Sequence, residues 1–249
     1  MYENLSLSGR IRYRLSRILW PQADLPWTYE GDGFATLHSA SFREEPSFRD
    51  AYRRAKAIGA WHGADIEWRA YTVCWAAMKA RAIEGDYVEC GVDRGGFSLA
   101  AMHYVDFASL AHKKFYLVDT YEGIPPDTLP DDARGQFLGT RYDQTYDDVV
   151  RTFAPFPNAV IVRGKVPEIL PSVTAEKLCY LCIDLNTAGP SVAAAEFFWD
   201  RLSSGAPIVL DDYGQTFFSG MQTALDDFAR HRGVQVLPLP TGQGLIFKP

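Results

Sequence analysis

The chain has 249 residues, of which 47% are hydrophobic, 22% charged and 14% aromatic. That composition argues for a globular protein and against a largely disordered or fibrous one. A net charge of −6 gives no overall electrostatic support to a nucleic-acid or anionic-membrane partner, and no run of 18 apolar residues offers a membrane span.

At the start of the chain, Arg10, Arg12, Arg14 and Arg17 interleave with Ile11, Leu15, Ile18 and Leu19 at helical spacing. This reads as a docking helix with an exposed basic face in preference to a membrane-surface helix. The segment lacks the apolar core and small-residue cleavage site of a signal peptide. The expected location is therefore the cytoplasm, with Cys74, Cys90, Cys179 and Cys182 reduced. Tyr13, Trp20, Trp27, Tyr29 and Phe34 could cover a subunit interface or the chain's own core. A helix capped at Ser47 is expected next. A longer one over 67–83 carries Tyr71, Cys74, Trp75 and Met78 on one face. The aromatic stripe Trp61, Trp68, Tyr71, Trp75 reads as core packing. Residues 1–84 thus form a helical segment without strand alternation, suited to a cap, to oligomerisation or to the substrate side.

From residue 85 the rhythm changes. Strands are expected at 87–90, 115–118, 159–162, 179–183, 208–210, 234–237 and 245–248, with helices near 97–111, 146–154 and 190–203. Such alternation builds βαβ units and a parallel sheet. The connection between the last two strands is too short for a crossover helix, so they should form an antiparallel hairpin. A mostly parallel sheet ending in a hairpin resembles the class I methyltransferase version of the Rossmann-like fold; by that analogy, and by the motifs below, such an α/β fold is expected over 85–249, with an N-terminal helical segment over 1–84. The Pro-, Gly- and Asp-rich stretch 122–146 follows a strand at the ligand-binding edge. It reads as a substrate lid, with an ordinary mobile loop as the alternative. Cys179-Tyr-Leu-Cys182 has C-x-x-C spacing but lies within a buried strand. Residues three apart there point to opposite faces, so core cysteines are expected in preference to a redox or zinc site.

Three motifs carry chemistry. In Val88-Glu-Cys-Gly-Val-Asp-Arg-Gly-Gly-Phe-Ser98, a strand ends in an acid and a Gly-rich turn opens a helix. Glycines let a ligand approach the backbone, and the helix start offers free N–H groups to an anion. The spacing is not that of the G-x-G-x-x-G dinucleotide fingerprint, and the alternative reading is a purely structural strand-to-helix turn. In Phe115-Tyr-Leu-Val-Asp119, an acid closes the next strand at about the distance where Rossmann-type folds grip ribose hydroxyls. Asp184 ends a third strand, and Asp211 and Asp212 end a fourth. If those strands are neighbours, three carboxylates meet at one rim. Their repulsion would be costly without a cation, and hard oxygen ligands suit Mg²⁺, which could acidify a substrate hydroxyl; the alternative is that the acids cap the following helices or bind solvent.

Glu89-Cys-Gly, Val118-Asp-Thr-Tyr-Glu-Gly-Ile-Pro125, Ile183-Asp184, Val209-Leu-Asp-Asp-Tyr-Gly214 and Leu239-Pro-Thr-Gly-Gln-Gly-Leu-Ile-Phe-Lys248 together resemble the macrocin O-methyltransferase (TylF/MycF-like) family. The likeness covers most of residues 42–249. It implies methylation of a hydroxyl on a sugar or glycosylated small molecule, dependent on S-adenosylmethionine (SAM) and Mg²⁺, in natural-product or glycan biosynthesis. It also implies a homo-oligomer. Asp184, Asp211 and Asp212 would be the metal ligands, with Asp184 also catalytic. Glu89, Gly91, Asp93, Arg94, Gly95, Ser98, Asp119, Thr120 and Gly164 would line the SAM site. Sugar-methylating members tend to carry a second acid two residues after the first metal aspartate. Here that residue is Asn186, whose amide is no useful base near neutral pH. Catechol-type enzymes place a lysine where this chain has Thr187. Two other readings are a non-catalytic SAM- or nucleotide-binding module, kept open by Asn186, and an NAD(P)-dependent dehydrogenase, disfavoured by the glycine spacing, the hairpin and the acids.

Overall fold

A computed structural model describes Ile11 and residues 27–129, 145–216 and 220–249. Two compact units are present, Met1–Ser41 and Phe42–Pro249. In the first, β1 (Tyr29–Gly31) and β2 (Phe34–Thr36) pair antiparallel. Asp32 and Gly33 turn the corner with φ of 54° and 73°, the pairing that a tight two-residue hairpin favours. This corrects the expectation of a strand-free beginning. Three-residue strands are too short to show alternation, and the Asp-Gly pair was the available signal. Apart from Ile11, the expected basic helix lies outside the described residues, as do Tyr13 and Trp20.

The second unit opens with α1 (Pro46–Ala57) and α2 (Glu67–Ala80). Helix α1 begins on Pro46, a residue suited to a first helical position. Its cap residue is Glu45, and Ser47 instead donates to Glu45 Oε1 at 2.7 Å, so the expected Ser47 cap is corrected. The sheet strands follow as β3 (Asp86–Cys90), β4 (Phe115–Asp119), β5 (Ala159–Arg163), β6 (Leu178–Ile183), β7 (Pro207–Leu210), β8 (Leu237–Pro238) and β9 (Gly244–Phe247). Between them run α3 (Gly96–Tyr104), α4 (Tyr146–Phe153), α5 (Ala188–Trp199) and α6 (Met221–His231). The sheet order is β5-β4-β3-β6-β7-β9-β8. It is parallel through β7, and β9 runs antiparallel to both β7 and β8. This is the class I methyltransferase arrangement.

Strand β8 falls later than the expected 234–237. Gly233 adopts φ 72°, its N–H donates to Arg230 O, and the Val234 N–H donates to Ala229 O at 3.0 Å. These two bonds close α6 in the manner of a Schellman motif. Val234 is therefore engaged in ending a helix and cannot begin a strand.

Apolar side chains cover both sheet faces. Phe48, Val73, Phe97 and Met102 pack with Tyr87, Phe115 and Cys182 on one face. Phe198, Leu202, Leu225 and Phe228 pack with Val88, Leu181 and Ile208 on the other. Cys179 and Cys182 belong to the same face. The expectation that they point apart fails because the β3–β6 register slips after Asp86, which pairs with Leu178 while Tyr87 pairs with Tyr180. One extra residue in a strand inverts the alternation beyond it. Both thiols are buried and free. Burial pushes the Cys179 thiol up to about 12 and the Cys182 thiol well above its ordinary value, so neither is a ready nucleophile.

Candidate active site

Strand register brings the site together. Cys90 pairs with Val118 on one side and Ile183 on the other, and Ile183 pairs with Leu210. The next residue of each strand therefore falls on one rim, in the order Asp119, Gly91, Asp184, Asp211. The chain leaves β3 towards β4 and later returns on the opposite side at β6. The carboxyl ends of β3 and β6 thus flank the topological switch point, where open α/β sheets bind ligands.

Gly91 makes the junction possible. Its φ is +88°, and a Cβ there would stand 1.7 Å from the Asp184 carbonyl oxygen. Gly95 turns its bare side to the Phe153 ring, Gly96 to Ala60 and Trp61, and Gly164 to Ile169. These glycines admit other parts of the protein, whereas the sequence suggested approach by a ligand.

Asp184, Asp211 and Asp212 converge as expected. One carboxylate oxygen from each lies within 4.8 Å of the others. Asp211 is 1% exposed and is held from two sides. Arg69 Nη1 donates to Oδ2 at 2.8 Å and Gln243 Nε2 to Oδ1 at 2.9 Å. Gln243, fully buried, is itself fixed by Thr241 Oγ1 donating to its Oε1 at 3.1 Å. Asn186 sits in the left-handed region with φ 57°. Its backbone N–H and its Nδ2 donate to Asp212 Oδ2 at 2.9 and 2.7 Å, and Nδ2 also reaches Asp184 Oδ1 at 3.2 Å. Asn186 therefore ties two carboxylates together, a task no carboxylate at that position could perform while ionised. Burial, and then Asp211 and Asp212, hold the Asp184 carboxyl well above the ordinary range. Burial and then Asp211 push Asp212 up to about 6, against the opposing donation from Asn186.

On the other half of the rim, Glu89 is buried and accepts a hydrogen bond from Ser98 Oγ. Burial drives its carboxyl up to about 8 despite that bond. Asp119 Oδ2 accepts the N–H groups of Val92 and Asp93 at 2.5 and 2.9 Å, and Oδ1 accepts that of Tyr121 at 2.6 Å. Asp119 thus ties down the Gly-rich turn, a structural task its position at a strand end did not disclose. Thr120 Oγ1 donates to Gly123 O at 2.8 Å, and Gly164 N–H to Asp119 O at 2.8 Å. Asp93, with φ 49°, lies 3.5 Å from His62, and Arg94 lies 3.8 Å from Asp148. Of the stretch 122–146, residues 130–144 lie outside the described residues, and the expected lid lies largely there.

Sequence reasoning missed Arg69 and Gln243. Gln243 lies inside the Leu239–Lys248 block, but nothing local marks it as the partner of an acid. Arg69 lies 142 residues from Asp211, and no local pattern could pair them.

A profile of the macrocin-O-methyltransferase (TylF) family matches residues 67–239, more than half of the chain. The chain belongs to that family. It is 22% identical over 151 residues to the mycinamicin III 3''-O-methyltransferase of Micromonospora griseorubida, covering 56% of this chain and 59% of that protein's length. Its fold is similar to that of the O-methyltransferase NovP, with TM-score 0.64, 16% identity, and 72% of this chain and 79% of the other covered. The calicheamicin methyltransferase CalS11 superposes with TM-score 0.54 at 15% identity, covering 84% and 94%. The Podospora anserina methyltransferase PaMTH1, solved with S-adenosylhomocysteine (SAH), does so with TM-score 0.54 at 12% identity, covering 98% of each chain. The TylF-family match spans α2 through β8, and so includes Arg69 and all three rim aspartates. Among the described residues, no helix is long and apolar enough to cross a membrane.

Proposed function

We propose that the chain is a SAM-dependent, Mg²⁺-assisted O-methyltransferase acting on a hydroxyl of a sugar or glycosylated small molecule. Convergence of Asp184, Asp211 and Asp212 at the switch point is the observation that carries this reading. Family membership supports the reaction class. Similarity to a mycinamicin III 3''-O-methyltransferase supports a sugar-like substrate.

The donor set fits a divalent cation. Once ionised, as metal binding requires, the three carboxylates beside the Arg69 guanidinium would carry an excess of two negative charges. The oxygens Asp184 Oδ2 and Asp212 Oδ1 receive no hydrogen bond among the described residues, whereas both oxygens of Asp211 do. Hard carboxylate oxygens with room for water suit Mg²⁺ over softer metals. When bound, the cation supplies Lewis acidity towards a hydroxyl, and SAM supplies the electrophilic methyl.

The chain's own groups then have separate tasks. Arg69 and Gln243 orient Asp211, and Asn186 orients Asp212 and Asp184. This fixes the rim before any ligand arrives, so little reorganisation is needed at the moment of reaction. Asp184, the most central of the three along the rim, takes the acceptor proton or passes it to water, because Asn186 cannot. Glu89 and Ser98 support the Gly-rich turn from below, and Asp119 closes it from the side. Glu89, Gly91, Asp93, Arg94, Gly95, Ser98, Asp119, Thr120 and Gly164 form the cofactor side. In the same proposal residues 1–84 serve the acceptor side or assembly, and the protein is a cytoplasmic homo-oligomer.

Melting curves with SAH, SAM and NAD, followed by a mass-spectrometric screen of glycosylated acceptors with and without chelator, test the reading. Stabilisation by SAH and SAM alone, with methylation lost on chelation, is expected. Stabilisation by NAD in place of SAH would overturn it.

A further inference from the structure

The connection between α1 and α2, Gly59-Ala-Trp-His-Gly63, holds four of its five residues at positive φ: Gly59 at 75°, Trp61 at 58°, His62 at 51° and Gly63 at 83°. Glycine accepts this freely, but two consecutive bulky L residues avoid it. Strained backbone persists where its surroundings over-determine it, often at ligand clamps.

Both strained side chains meet the same neighbour. The Trp61 ring stacks on Tyr52 at 5.1 Å with an interplanar angle of 15° and lies 5.6 Å from Phe97. Its indole fills the space a Cβ on Gly96 would need, at 2.8 Å. His62 Nε2 lies 3.5 Å from Asp93 Oδ2. Asp93 in turn donates its backbone N–H to Asp119 at 2.9 Å and accepts Thr145 Oγ1 on its carbonyl at 2.9 Å. The Gly-rich turn is thus gripped at its helix end by Trp61, at its acid by His62 and at its backbone by Asp119 and Thr145.

We propose that residues 59–63 are a clamp on the Gly-rich turn, and that His62, acting through Asp93, is a positioning residue that sets the affinity for the adenosyl cofactor. This rests on the reading of that turn as the cofactor loop. The imidazole, 3.5 Å from Oδ2, restricts the Asp93 carboxyl to one orientation, so binding need not order it.

Calorimetric titration of SAH into the full chain and its variants tests the clamp. His62→Gly removes the imidazole and the conformational strain together, so its melting midpoint should stay at or above that of the unaltered chain. Its SAH dissociation constant should rise about tenfold, the equivalent of one lost charge-assisted contact. Asp93→Ala should do the same, and the double variant should lose no more than either single change. His62→Gln, whose amide nitrogen reaches about as far as the imidazole Nε2, should restore affinity to within about threefold. Unaltered SAH affinity in His62→Gly, or additive losses in the double variant, would overturn the clamp. Failure of the unaltered chain to bind SAH would overturn the cofactor reading, and the clamp with it.

Discussion

Arg69 on α2 and Asp211 at the end of β7 form an ion pair of 2.8 Å across 142 residues of sequence, with the carboxylate 2% and the guanidinium 17% exposed. Taking one partner from a buried pair leaves the other charge uncompensated, which commonly costs 3–5 kcal/mol. Partial exposure of Arg69 lowers that figure. Arg69→Met should therefore destabilise the metal-free protein by about 2–3 kcal/mol. The change also deepens the negative charge of the cluster, so Mg²⁺ should stabilise the variant more than the parent. Chemical denaturation with and without Mg²⁺ checks both parts, and equal Mg²⁺ responses would contradict the charge argument.

Asp184→Asn removes the central carboxylate of the rim and leaves the Gly-rich turn untouched. Mn²⁺ affinity, read by electron paramagnetic resonance, should fall at least about 100-fold, in line with loss of a direct ligand. SAH affinity should stay within about threefold, since no hydrogen bond links Asp184 to the turn's side chains. A parallel collapse of both affinities would mean that the two halves of the rim are not separable.

Asn186→Asp places a carboxylate where sugar-methylating relatives tend to carry one. Aspartate tolerates the left-handed region about as well as asparagine, so the backbone is not penalised. The Nδ2 donation to Asp212 and Asp184 is lost, and a fourth negative charge joins the cluster. The metal-free variant should be less stable by about 1–3 kcal/mol, with part of the loss recovered in Mg²⁺. Urea unfolding measures it, and an unchanged midpoint would show that the amide clamp is idle.

Burial raises the carboxyl pKa of Glu89 to about 8 and that of Asp212 to about 6. A folded-state value above the unfolded one means that the native state binds more protons between the two. Stability then falls as pH rises through that window. The metal-free protein should accordingly melt higher near pH 5 than near pH 8.5, and Glu89→Gln should flatten the upper part of the curve. Mg²⁺ requires ionised ligands, so its stabilising effect should run the other way and fade below about pH 6.

Gly91→Ala would add a Cβ 1.7 Å from the Asp184 carbonyl oxygen at φ +88°. Neither the backbone clash nor the conformation can be relieved by turning a side chain. A loss of more than about 3 kcal/mol is expected, together with loss of SAH binding, because β3 and β6 would be forced apart at their ends. A normally stable variant would show that the two strand ends can separate without cost.

The sheet was legible because each β-strand from Asp86–Cys90 to Pro207–Leu210 is an apolar run between helical patterns and ends near a turn or an acid. Register then does the rest, since neighbouring strand ends fall on one rim whatever the intervening lengths. The features that escaped are of two kinds. Some are too short to have a period, such as the hairpin at Asp32-Gly33 and the slip near Cys179. Others join distant residues, as Arg69 and Gln243 join Asp211, and no local spacing encodes them. Asn186 was visible as a departure from the family pattern. Its use as a bridge between two carboxylates needed the β6 and β7 ends side by side.

The acid rim is served by residues that precede and follow the strands that bear it. A fragment trimmed to 85–249 would retain every strand of the large sheet and all three aspartates, yet would leave behind the guanidinium that balances one of them. A shortened version stopping before Gln243 would likewise strip Asp211 of its other support. Minimising this protein to its nucleotide-fold nucleus would therefore give an electrically frustrated core, so fusion or truncation designs should keep Arg69 and Gln243 together.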